Sequence, residues 1–284
     1  MSTRQRALVL GGGGITGIAW ELGVLAGLKE RGVDLTAADI VIGTSAGSVV
    51  GAQITSSTDL EVLYDGQLAD PSGEVGARLG LAVGLRYLIY LMLPGSSQDK
   101  RRRLGRAALR TTTVPVSERV EIIRERLVRA EWPASKLLVT AVEAETGRFE
   151  VFDRNSGVGL VDAVASSCAV PLVWPPVPVN GRSYVDGGVR SATNADLATG
   201  ADVVVVLAPL SQSLSKSTRV DTQLARLGTQ VQSVVVRPDA RALKAIGRNV
   251  LDPARRADAA RAGREQASDV AAEVSAAWRS ADED

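Results

Sequence analysis

The stretch Ile40-Val41-Ile42-Gly43-Thr44-Ser45-Ala46-Gly47-Ser48 constrains the fold of this chain more than any other. The apolar run Ile40–Ile42 reads as a short buried strand. It enters Gly-x-Ser-x-Gly at once, and Val49-Val50-Gly51-Ala52-Gln53-Ile54 follows as a helix. A strand, a tight turn with serine at its apex and a helix make a nucleophile elbow. The turn is sharp, so Gly43 and Gly47 are needed where a Cβ would obstruct strand–helix packing. Such a turn holds the Ser45 hydroxyl at the end of a sheet, over a helix N-terminus.

A serine nucleophile needs a base, and the composition limits the choice. The 284 residues contain no histidine and a single cysteine, Cys168. A Ser-His-Asp triad is therefore excluded within the chain, as are His-bearing metal sites and a Cys-built zinc site. No intrachain disulfide is possible, which fits a reducing compartment. The formal net charge of +1 gives no global field for nucleic acid. The polar start Met1–Arg6 leads only into the short apolar run Ala7–Leu10, too short for a secretory leader, and no stretch reaches the ~20 apolar residues of a membrane span. The expected location is cytoplasmic, with peripheral membrane contact as an extension of it.

Taken in order, Arg6–Leu10 reads as the first strand, Gly11–Gly17 as a glycine loop, and Ile18–Leu28 as a helix closing near Arg31-Gly32. A glycine loop between strand and helix presents N–H groups to an anion. Gly12-x-Gly14-x-x-Gly17 fits a dinucleotide fingerprint in spacing, but neither Asp34 nor Asp39 clearly ends a second strand, and no Gly-Lys-Ser/Thr marks a P-loop. An oxyanion hole is the other candidate. The loop and Ser45 lie at the C-terminal ends of strands in consecutive β-α units, so a parallel sheet places them on one edge. Further strands are read at Leu137–Val142, Arg148–Phe152, Arg182–Val185, Asp202–Leu207 and Val234–Val236. Leu160–Cys168 and Pro253–Trp278 are read as helices, Trp174–Val177 as extended and Ser211–Thr222 as a mobile loop.

The expected architecture is one α/β domain over residues 1–284, a central, mostly parallel sheet sandwiched by helices. A helical insertion at about 57–130 is a possible lid. In it, Thr58–Glu61 carries a capping signal, and Ser117–Ala130 is an amphipathic helix with Val120, Ile123, Leu127 and Val128 on one face. The apolar segment Leu79–Leu93 precedes the basic cluster Lys100–Arg103, with Arg106 and Arg110 beyond. This is the pattern of a lid lying on an anionic membrane through Leu79–Arg110, or of a buried core helix followed by a solvated basic face.

With histidine absent, a carboxylate must serve as base. Asp186 is the best placed, ending a strand before Gly187-Gly188. A helix N-terminus supplies only ~0.3–1 kcal/mol, up to ~2 when partly buried, too little to activate a serine. A free aspartate titrates near ~3.9, low for a base at neutral pH. The site is therefore expected to desolvate Asp186 and raise its pKa.

The glycine run, the elbow, Ala165–Pro171 with Pro175-Pro176-Val177, and Asp186-Gly187-Gly188 occur in an order that resembles the patatin-like phospholipase family. The resemblance implies a Ser-Asp dyad, in agreement with the missing histidine, and lipid acyl hydrolase activity without metal or cofactor. It implies Ser45 as nucleophile and Asp186 as base, with the backbone amides of Gly12, Gly13, Gly14 and Ala46 as oxyanion hole. The family's glycine loop usually carries Arg or Lys where this chain has Thr16, a change that weakens the case for an anionic headgroup more than for a neutral ester. An acyltransferase with the same dyad, a non-catalytic lipid-binding module and a nucleotide site at the glycine run are the alternative functions.

Overall fold

The structure is a computed structural model that describes residues 4–71, 76, 81–210 and 215–279. Its strands are β1 (Arg6–Leu10), β2 (Ile40–Gly43), β3 (Lys136–Glu143), β4 (Phe149–Phe152), β5 (Val177–Val179), β6 (Arg182–Asp186), β7 (Val203–Leu207) and β8 (Gln232–Val236). The helices are α1 (Gly14–Glu30), α2 (Ala46–Ile54), α3 (Leu60–Leu68), α4 (Leu81–Met92), α5 (Ser97–Leu109), α6 (Val116–Arg126), α7 (Leu160–Ser167), α8 (Val220–Ala225), α9 (Ala240–Ile246) and α10 (Arg256–Arg279).

The strands form one sheet in the order β5-β6-β3-β2-β1-β7-β8, with β4 pairing β3. Strands β3, β2, β1, β7 and β8 are parallel; β4 and β6 run against them, and β5, antiparallel to β6, runs with them. The alternation of side chains assigns each central strand to two cores. Leu8 and Leu10 of β1, with Val203, Val205 and Leu207 of β7, meet residues of α1, α2, α7 and α10. Ala7, Val9, Val204 and Val206 meet Ala195, Ala198, Val220 and Leu224 on the opposite face. Burial on both faces explains the unbroken valine run of β7.

The sequence reading holds for most elements and fails at several. Leu127 leaves the helical region (ψ 132°) and ends α6 there, so Val128 is not on the buried face and stands 49% exposed. Trp174 lies in a turn, and the extended segment begins nearer Val177, where it becomes β5. Of the Ser211–Thr222 loop, 211–214 lie outside the described residues; the remainder forms a 3-10 turn at Lys216–Thr218 and the start of α8. Asp59 caps α3, accepting from the Glu61 N–H at 3.0 Å. The apolar segment of 79–93 is helical as α4 but is not a core helix: Leu85, Ile89, Met92 and Leu93 are exposed, while Tyr87 and Tyr90 pack against Leu104, Ala107 and Leu172. Residues 79 and 80 lie outside the described residues.

Helices α1 and α10 cross at glycines from both sides. A Cβ on Gly23 would lie 2.1 Å from the Ala260 carbonyl oxygen, and one on Gly263 would lie 2.4 Å from that of Trp20. Because backbone atoms cannot yield as a side chain can, Gly23→Ala is expected to lower stability by about 1–3 kcal/mol or more. Gly66, in α3 with nothing within 4 Å, is the contrast: Gly66→Ala should raise stability by about 0.5–1 kcal/mol. Urea midpoints of the two variants check both signs.

Candidate active site

Three chain segments converge on one edge of the sheet. Gly43 ends β2 opposite Val139 of β3, and β6 descends antiparallel along β3 until Asp186 stands opposite Ala141. The carboxylate therefore stops just above the rung from which the elbow turns. Leu10 ends β1 beside Gly43, which brings the glycine loop to the same place.

The elbow is tight enough to leave no choice at its glycines. A Cβ on Gly47 would lie 2.1 Å from the Leu10 carbonyl oxygen, and one on Gly43 would lie 2.5 Å from the Ser48 Cα. Ser45 sits at φ 52°, ψ −117°, a region that costs a non-glycine residue about 1–3 kcal/mol. Its surroundings hold it there. The Ser45 N–H donates to Ser167 Oγ at 2.9 Å, and its carbonyl accepts from Ser48 Oγ at 2.6 Å and Cys168 Sγ at 3.4 Å. Cys168 is buried and its thiol is pushed up to about 11, so it is no nucleophile at neutral pH.

Asp186 is buried, and its Oδ1 accepts from the Gly188 N–H at 2.7 Å. The Ser45 side chain stands close enough to the same carboxylate to favour its ionised form. Burial raises the carboxyl pKa to about 6, against the opposing pull of the Ser45 side chain, the Gly188 N–H and the Arg119 charge. The displacement is upward, as desolvation requires. The segment after Asp186 is fixed by a polar network. Asn194 Nδ2 donates to Thr44 Oγ1 at 3.0 Å and to the Ser191 carbonyl at 2.9 Å, and Thr44 Oγ1 meets Thr140 Oγ1 at 2.9 Å. Nothing in the sequence marked this network, because Thr, Asn and Ser at wide spacing carry no pattern.

The glycine loop faces the same site. Gly13 caps α1 and Gly14 begins it, while Ala46 begins α2, so these amides belong to helix ends that lack intrahelical acceptors. Gly12 differs: its N–H donates to the Ala192 carbonyl at 2.7 Å. No side chain fits at Gly13, where a Cβ would meet Pro209 at 2.6 Å, and Gly14 has φ +63°. Thr16 is fully buried, its hydroxyl directed to the Val250 carbonyl at 3.3 Å.

Above Ser45 and Asp186 lies a cavity of about 520 Å³. Ile15, Ile18, Tyr87, Leu104, Trp174 and Leu251 supply apolar wall, and the basic side chains of Lys100, Arg101, Arg119, Arg126 and Arg190 also line it. Helices α4 and α5 thus cover the site with one face, as Tyr87 and Leu104 show, and turn Leu85, Ile89 and Met92 outward. The presence of Arg119 here was not legible: it lies one turn before Ile123 on α6, and an arginine in an amphipathic helix carries no pattern of its own.

The family model for patatin-like phospholipase matches residues 8–199. A lysophospholipase NTE1 of Phaeosphaeria nodorum is 28% identical over 202 residues, which cover 70% of this chain and 12% of that protein. A lysophospholipase nte1 of Aspergillus niger is 38% identical over 84 residues, covering 30% of this chain and 5% of that protein. The chain therefore spans a small part of the length of these relatives. Among solved structures, VipD from Legionella pneumophila aligns with a TM-score of 0.48 at 13% identity, over 96% of this chain and 67% of that one. The type III effector ExoU aligns with a TM-score of 0.41 at 17% identity, over 96% of this chain and 53% of that one.

Proposed function

Since this chain belongs to the patatin-like phospholipase family, we propose that it is a serine lipid acyl hydrolase working through a Ser45–Asp186 dyad. The observation that carries the reading is that Ser45, at the apex of the elbow, and the buried Asp186 carboxylate line one cavity, close enough for the serine side chain to act on the carboxyl. As Ser45 Oγ attacks the ester carbonyl, the Asp186 carboxylate takes its proton. The carbonyl oxygen becomes the oxyanion and accepts from the N–H groups of Gly13, Gly14 and Ala46. The amide of Gly12, engaged by Ala192, is left out of that set. Asp186 returns the proton to the leaving alcohol, and the acyl group remains on Ser45. Water then attacks the acyl-enzyme, giving its proton to Asp186, and Ser45 recovers the proton as the fatty acid leaves.

The test is release of free fatty acid from lysophospholipid and from monoacylglycerol by the purified protein, repeated with added butanol. Fatty acid as product supports the hydrolase. Butyl ester as the dominant product means an acyltransferase, and no turnover with intact vesicle binding means a lipid-binding module.

The insertion at 57–130 acts in this proposal as a membrane-facing cover. Leu85, Ile89 and Met92 recur at i, i+4 and i+7 on α4, an exposed apolar stripe next to the basic helix α5. No helix among the described residues is long and apolar enough to cross a membrane. Binding to vesicles rich in anionic lipid is expected to weaken as salt rises and to fall in an Ile89→Asp variant. Cosedimentation unaffected by either change would remove this part of the proposal.

A further inference from the structure

Arg119 is 4% exposed and projects from α6 into the wall of the cavity that holds Ser45 and Asp186. Its Nε and Nη1 have no hydrogen-bond partner among the described residues. Its one packed contact of note is the Trp174 ring, whose centroid lies 4.1 Å from the guanidinium carbon. Burial lowers its pKa only to about 10, so it is cationic at neutral pH. A buried cation with unmet donors is destabilising, and proteins retain one where something else satisfies it.

The other cations of the cavity are differently placed. Arg190 is held by Asn194 and Asp196, and Arg101 Nε donates to the Gly147 carbonyl. Among the described lining residues Asp186 is the sole carboxylate, against four basic side chains besides Arg190, whose charge Asp196 answers from outside the lining. A neutral ester would leave that excess unanswered. An ester bearing a phosphate would answer it, and a guanidinium fork matches phosphate oxygens as it matches few other groups.

We infer that Arg119 is the anion-binding residue of the cavity, receiving a phosphate carried by the acyl ester while Ser45 faces the ester carbonyl. The inference rests on the hydrolase reading for the ester and on the cavity alone for the phosphate. It places the cation on α6 and not in the glycine loop, where Thr16 is buried and directed to the Val250 carbonyl.

The test separates those two supports. Turnover is measured on decanoyl-glycerophosphate and on monodecanoylglycerol for wild type, Arg119→Met and Arg119→Lys. Calorimetry measures binding of the ether analogues, 1-O-decylglycerol with and without phosphate, and of inorganic phosphate alone. Wild type is expected to prefer the phosphate-bearing lipid in both assays. In Arg119→Met that preference should fall by roughly 10- to 100-fold, the range of a lost charge-assisted hydrogen bond; the ratio of the two substrates is the readout, since losing the Arg119 charge beside Asp186 acts on both alike. Arg119→Lys should fall between the two. Equal losses on both substrates would make Arg119 a positioning residue for Asp186 and overturn the proposal. So would an unchanged preference, or inorganic phosphate binding as tightly as the lipid, which marks a free-anion site. Arg119-dependent binding of the phosphate ether without any turnover would uphold the anion site and refute the hydrolase.

Discussion

Asp186→Asn is expected to lower ester turnover by about 10²–10⁴-fold, the contribution of a positioned base, and at the same time to stabilise the protein at neutral pH. The first half follows because an amide cannot take the Ser45 proton. It does keep the geometry, since its oxygen accepts from the Gly188 N–H as Asp186 Oδ1 does. The second half follows from the raised pKa. The carboxyl titrates at about 6 in the folded chain, against an ordinary value of 3.8. Between those two values the native state holds more protons than the unfolded chain. Stability is therefore lost as pH rises through that window and stays lower above it. A displacement of about 2 pKa units corresponds to about 3 kcal/mol. The asparagine variant, which does not ionise, escapes this cost. Urea unfolding of both proteins should show a difference that opens between about pH 4 and pH 6 and is constant beyond. Wild-type turnover should rise through about pH 6 to a plateau, because the base works only when ionised. An asparagine variant less stable than wild type at neutral pH would mean that burial is not what sets this carboxyl's pKa.

What the sequence exposed and what it hid divide along a physical line. Backbone demands leave local traces. The elbow needs Gly43 and Gly47, and the loop needs Gly13 and Gly14, because a Cβ at each would collide with backbone or with Pro209. The buried strands are read from Ile40–Ile42 and Val203–Leu207 because both their faces are covered. The site's longer-range partners leave no such trace. Asn194, which ties Thr44 to the segment after Asp186, is a polar residue whose role depends on strands distant in sequence, and Ser167 lies in the stretch Ala165–Pro171 that carried the resemblance without showing that it holds the Ser45 amide. Gly12 shows the limit of spacing: it shares the loop with Gly13, yet its amide is turned to Ala192. Helix α4 shows the limit of composition. Its apolar residues suit a core or a membrane surface equally, and only the packing of Tyr87 and Tyr90 tells which side faces the protein.

The dyad and the strained turn make separable demands on Ser45, and two substitutions distinguish them. Ser45→Ala and Ser45→Gly are both expected to abolish labelling by a fluorophosphonate and to reduce turnover by at least about 10⁴-fold, since the covalent intermediate has no oxygen to form on. Cys168 cannot take over, being buried and protonated. In stability the two should part. Alanine keeps a Cβ at φ 52° and ψ −117° and removes the hydroxyl that favours the ionised Asp186 carboxylate. The buried charge then loses that support, which costs about 1–3 kcal/mol while Asp186 is ionised and far less once it is protonated. Glycine loses the same support but relieves a backbone conformation worth about 1–3 kcal/mol. Ser45→Gly is thus expected to be the more stable variant at every pH. Ser45→Ala should approach wild type only below about pH 5, where the carboxyl is protonated. Thermal unfolding of the three proteins across that range measures both terms. A glycine variant no more stable than alanine would mean the turn carries no strain at Ser45. Persistent labelling of either variant would move the nucleophile elsewhere in the chain.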